Sequence, residues 1–108
     1  MEDYCVKTIE GVLARAKYSK IDTYDNLVEG LIYNLHNFRG LKNPNRGRFV
    51  NCGDILLETD HVFIYIEPYD YEDNIKVVLI LENEAGREDY IRIKTRVESY
   101  LEAHNLIL

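Results

Sequence analysis

Residues 61–81 read His61-Val62-Phe63-Ile64-Tyr65-Ile66-Glu67-Pro68-Tyr69-Asp70-Tyr71-Glu72-Asp73-Asn74-Ile75-Lys76-Val77-Val78-Leu79-Ile80-Leu81. In an extended chain Val62, Ile64 and Ile66 share one face, and Phe63 and Tyr65 share the other. Apolar side chains on both faces mark a central strand or a two-sided core. Pro68 stops that strand, because proline cannot donate a ladder hydrogen bond. Tyr69 to Asn74 is polar and reads as a loop. Ile75 to Leu81 is rich in β-branched residues and reads as the next strand. Upstream, Ile55-Leu56-Leu57-Glu58 predicts a short strand, with Arg48-Phe49-Val50 as a candidate before it and Thr59-Asp60 as a tight turn after it.

The segments flanking these strands read as helices. Cys5, Ile9, Val12, Leu13 and Ala16 fall on one helical face, which predicts a helix over residues 3–18 with Arg15 and Lys17 off the apolar stripe. Ser19-Lys20 breaks that pattern, and Asp22 or Thr23 supplies a cap for a second helix. Tyr24, Leu27, Val28, Leu31, Ile32, Leu35 and Phe38 carry the second helix to Arg39, with Gly40 at its end. Gly30 lies inside it at a cost of about 1 kcal/mol relative to Ala, which a close approach between helices would explain. Tyr90, Ile93, Val97, Tyr100, Leu101 and His104 predict a third helix over Arg87 to Ala103. Residues 90–94 also alternate as a strand would, in which case Thr95 and Glu98 form a capping box. Asn105 ends the helix. Leu106-Ile107-Leu108 is too apolar for a free tail and is expected to pack on the sheet or on a partner.

The order α-α-β-β-β-α segregates helices from strands. It predicts one α+β domain over residues 1–108, with a small antiparallel sheet covered on one face by helices. The chain has 108 residues, of which 46% are hydrophobic, enough for one packed core. Met1-Glu2-Asp3-Tyr4-Cys5 lacks the basic start and apolar run of a secretory signal. Val77 to Leu81 is the longest nearly unbroken apolar run, far below the roughly 20 residues that span a bilayer. A cytoplasmic protein with no membrane contact is expected. Cys5 and Cys52 form no Cys-x-x-Cys pair and read as reduced thiols. No cofactor or metal is expected.

The net charge of -6 counts against a general nucleic-acid coat and against an anionic membrane surface. The charge is unevenly spread. Residues 1–53 hold 8 basic and 6 acidic residues, whereas residues 54–108 hold 5 basic and 13 acidic, giving +2 and -8. The sharpest feature is Glu67-Pro68-Tyr69-Asp70-Tyr71-Glu72-Asp73, two tyrosines among four carboxylates on an inter-strand loop. Tyrosine anchors protein interfaces at low entropy cost, and carboxylates around it steer a basic partner. Read structurally, the same acids only keep a solvated loop soluble. The functional reading is a small non-enzymatic protein-binding module of the inhibitor or immunity type. It would occlude a basic surface of another protein; a phage-encoded blocker of a nucleic-acid enzyme is one instance.

Other readings start from different residues. Arg39, Lys42, Arg46 and Arg48 form a basic loop over residues 39–48 that would hold phosphates, with Phe49 stacking on a base; structurally, it balances the acidic strands. Joined to the acidic loop of another copy, it would give a homo-oligomer. Gly53-Asp54-Ile55-Leu56-Leu57, followed by Glu67 at the end of an apolar strand, resembles part of a PD-(D/E)xK nuclease core. That resemblance implies a Mg²⁺ site on Asp54 and Glu67, with Glu29 as an added helical carboxylate. The chain departs from the family pattern at Tyr69, where a lysine belongs, and at Gly53, where a proline belongs. Cys52, Asp54 and His61 lie close in sequence, but their spacing matches no standard zinc site. His36 falls on the polar side of the second helix, and His104 near a helix end.

Overall fold

A computed structural model describes residues 8–17, 19–35 and 55–108. Its elements are β1 (Thr8–Ala14), α1 (Ile21–Leu35), β2 (Ile55–Glu58), β3 (Val62–Pro68), β4 (Ile75–Leu81), a single 3-10 turn (Glu84–Gly86) and α2 (Arg87–Ala103). The four strands form one antiparallel sheet in the order β1-β4-β3-β2. The fold is α+β, with a small antiparallel sheet and both helices on one face.

The first element corrects the sequence reading. Residues 8–14 are a strand rather than a helix, so the order is β-α-β-β-β-α. Thr8, Ile9 and Val12 are β-branched, and Gly11 is costly inside a helix. Val12 and Ala14 point into the core, while Ile9 and Leu13 lie on the opposite face. The apparent helical stripe therefore combined residues from both faces of a strand. β1 runs beside β4 from Thr8↔Leu81 to Ala14↔Ile75. The other described strands and helices fall where the pattern placed them, the 3-10 turn is one it did not predict, and α2 spans Arg87–Ala103 through the stretch that also alternates.

One face of the sheet carries the core. Val12 and Ala14 of β1, Val62, Ile64 and Ile66 of β3, and Ile75, Val77, Leu79 and Leu81 of β4 are all buried there. Tyr24, Leu27, Val28, Leu31, Ile32 and Leu35 of α1 pack on it, with Tyr90, Ile93, Val97 and Leu101 of α2. The helices meet closely at Gly30, where a Cβ would fall 1.7 Å from the Tyr100 hydroxyl. Asn34 Nδ2 also donates to the Arg96 carbonyl at 3.0 Å. The outer face is half-exposed, with Phe63, Tyr65, Glu67, Lys76 and Ile80 along β3 and β4.

Two polar devices fix the edges. Lys94 of α2 pairs with Glu10 of β1 at 2.7 Å and with Glu98 at 3.6 Å, tying helix to strand. That pairing lowers the Glu10 carboxyl and raises the Lys94 ammonium. Beside it the Tyr90 hydroxyl is buried next to the Glu10 carboxylate, without a hydrogen bond of regular geometry. Burial, reinforced by the Glu10 charge, pushes it up to about 12. At the other end of α2, Asn105 has φ 56, Asn105 N–H donates to the Glu102 carbonyl, and Leu106 N–H donates to the Leu101 carbonyl at 2.7 Å. This is a Schellman stop with Asn in the left-handed position. It turns the chain so that Ile107 bridges Ala14, and Leu106 and Ile107 pack on the core.

Candidate functional site

The β3–β4 hairpin builds the tip that the sequence singled out. Pro68 faces Ile75 in the last rung, and Tyr69 N–H donates to the Asn74 carbonyl at 2.8 Å. Asp70 organises the residues between. Its Oδ1 accepts from Glu72 N–H at 3.0 Å and Asn74 N–H at 3.2 Å, and its Oδ2 accepts from Asn74 Nδ2 at 3.1 Å. The Asn74 side-chain bond, with the two backbone donors, holds the Asp70 carboxyl below its usual range. Asp73 completes the turn at φ 66, in the left-handed region that Asp tolerates better than most residues. Its carboxylate accepts from the Ser19 hydroxyl, joining the hairpin to the β1–α1 connection.

This arrangement divides the seven residues by role. Asp70 is committed to the turn. Glu67 lies on the outer face of β3, with an oxygen 3.9 Å from Lys76 Nζ. Glu72 is exposed. The apolar surface at the tip comes from tyrosine, with Tyr69 47% exposed and Tyr71 106% exposed. A rigid turn thus presents two aromatic rings to solvent, where a partner can bury them.

The adjacent surface is one the sequence reading missed. Glu72 and Asn74 face Arg15, Lys17 and Lys20 across a cleft of about 480 Å³. The helical reading sets Arg15 and Lys17 off the apolar stripe and puts Lys20 in the break that follows. Once residues 8–14 form a strand, all three gather in the short β1–α1 connection. The signal was already there: residues 15–20 hold three bases and no acid.

The remaining candidates are scattered or fall outside the described residues. Glu29 is exposed on α1, which covers the inner face, whereas Glu67 projects from the outer face, so the sheet separates them. β3 runs directly into β4 through the hairpin, without the intervening helix a PD-(D/E)xK core would place there. Asp54, Cys5, Cys52, His36 and the basic loop with Arg39, Lys42, Arg46, Arg48 and Phe49 lie outside the described residues. His61 packs against Gly86, and His104 caps α2 with its ring 4.4 Å from that of Tyr100. Among the described residues no group of three or more His, Cys, Asp or Glu side chains could hold a metal ion. Among them too, no helix is long and apolar enough to cross a membrane.

Compared with known proteins, the chain matches no family model, no curated protein and no solved structure.

Proposed function

We propose that the chain is a protein-binding module that docks through its β3–β4 hairpin tip. The observation that carries this reading is the full exposure of Tyr71 on a turn whose backbone Asp70 already fixes. A preorganised aromatic loses little conformational entropy on binding, so burying its ring adds to affinity. Asp70, Glu72 and Asp73 surround the two tyrosines with negative charge, which steers approach toward a basic surface. Binding would block that surface sterically, as an inhibitor or immunity-type protein does.

The test is capture of partners from a lysate of the source cell by the immobilised chain and by a Tyr69→Ala/Tyr71→Ala variant. Loss of captured protein at an unchanged melting temperature supports the reading. Undiminished capture by the variant refutes it.

A further inference from the structure

Four described cations, Lys76, Arg87, Arg92 and Lys94, each lie within 4.0 Å of a carboxylate. Arg15, Lys17 and Lys20 follow a different rule. All three are exposed, and among the described residues no carboxylate lies within salt-bridge distance of any of them. They sit beside the hairpin that carries Asp70, Glu72 and Asp73, none of which has a Lys or Arg partner in that range. Three positive and three negative charges therefore lie side by side at one end of the molecule. The Ser19 hydroxyl bond to Asp73 pins the two segments together.

A patch with a positive half next to a negative half is complementary to itself after a half-turn. This is the condition that a two-fold interface imposes, in which the same surface serves both partners. We propose that the hairpin tip of one copy docks on the β1–α1 connection of a second copy, each copy contributing one hairpin and one connection. The proposal rests on the hairpin tip as the contact surface and names its partner: the basic surface that the tip fits is the chain's own Arg15, Lys17 and Lys20. Exposed ion pairs alone bind weakly. Tyr69 and Tyr71, on the same tip, supply the apolar burial that the charges lack. Self-association covers the tip, so it competes with capture of any other partner.

The test is light scattering of the full chain over a range of concentrations at low and high salt, with circular dichroism to confirm folding. The expected result is a mass of two chains at high concentration and low salt, falling toward one chain as salt rises. Lys17→Glu/Lys20→Glu should weaken self-association by about tenfold or more, and Glu72→Lys should weaken it less. Mixing the two variants should restore association beyond that of either alone, because the reversed charges then face each other. A wild-type chain that stays monomeric overturns the proposal, as does a dimer that neither reversal weakens or a mixture no tighter than its components. If the wild-type chain is monomeric while Tyr69→Ala/Tyr71→Ala still abolishes lysate capture, the second-copy assignment falls and the hairpin reading stands. If a dimer survives Tyr69→Ala/Tyr71→Ala, the tip is not its contact surface and the second-copy assignment falls; the hairpin reading falls only if lysate capture by that variant is also undiminished.

Discussion

Asp70 accepts three hydrogen bonds inside its own hairpin, two of them from Asn74. The carboxyl is therefore held below its usual range, and the direction of the resulting pH dependence follows. A carboxylate depressed in the folded state contributes stability above its unfolded value, near 3.8, and loses it as pH falls through the lower folded value. The acid limb of a melting-temperature profile should fall in that window, and Asp70→Asn should flatten it. An acid limb identical in both proteins would mean that the turn does not depend on the charged form.

The same turn links stability to binding. Asp70 makes its bonds within the loop, yet Asp70→Ala should reduce partner capture by freeing the backbone that presents Tyr71. The effect belongs to preorganisation, so it should appear as greater backbone mobility at residues 69–74 in NMR relaxation. Reduced capture with unchanged relaxation would instead assign Asp70 a direct contact.

Gly30 and Tyr100 set the helix spacing. In an isolated helix Gly30→Ala would gain about 1 kcal/mol from propensity. Here the added methyl meets the Tyr100 ring and hydroxyl, and overpacking of this kind costs about 1–3 kcal/mol. Gly30→Ala should therefore be destabilising in wild type and stabilising in a Tyr100→Ala background. Denaturant titration of the four proteins in a double-mutant cycle measures this, and additivity would show that the helices separate freely.

That glycine was legible in the sequence as an anomaly, and its cause became visible only once α1 and α2 were packed together. The strands from Ile55 to Leu81 were legible because period-two alternation, Pro68 and the polar loop agree. The helix over 87–103 was legible because Tyr90, Ile93, Val97 and Leu101 all fall on one face. Residues 8–14 misled because a seven-residue strand with apolar side chains on both faces also supplies offsets of three and four. Its identity depends on β4, which lies more than 60 residues away in sequence and supplies every rung of its ladder. The pairing of the hairpin with Arg15, Lys17 and Lys20 was hidden for the same reason. It appears only when β1 and β4 are neighbours and their adjoining turns meet at one end.

Tyr90 gives the final expectation. Its hydroxyl is buried beside the Glu10 carboxylate without a well-formed hydrogen bond, so the group has lost water for a poor acceptor contact. Tyr90→Phe removes that oxygen and keeps the ring among Ile93, Val97 and the strand residues. The substitution should be neutral or stabilising by up to about 1 kcal/mol, a rise of several degrees in melting temperature for a chain this size. It should also change the alkaline limb. An ionisable group whose folded value is raised to about 12 contributes stability that is present below its unfolded value, near 10, and is lost as pH rises through 12. Wild type should therefore lose stability more steeply than Tyr90→Phe between these two values. Absorbance titration of the tyrosines should show a late-ionising fraction in wild type, to which burial of Tyr65 and Tyr100 also contributes, and Tyr90→Phe should lose its most alkaline step. A destabilised variant would mean that the Glu10 carboxylate holds the Tyr90 hydroxyl in a firm hydrogen bond, and an unchanged titration would mean that Tyr90 ionises with the exposed rings.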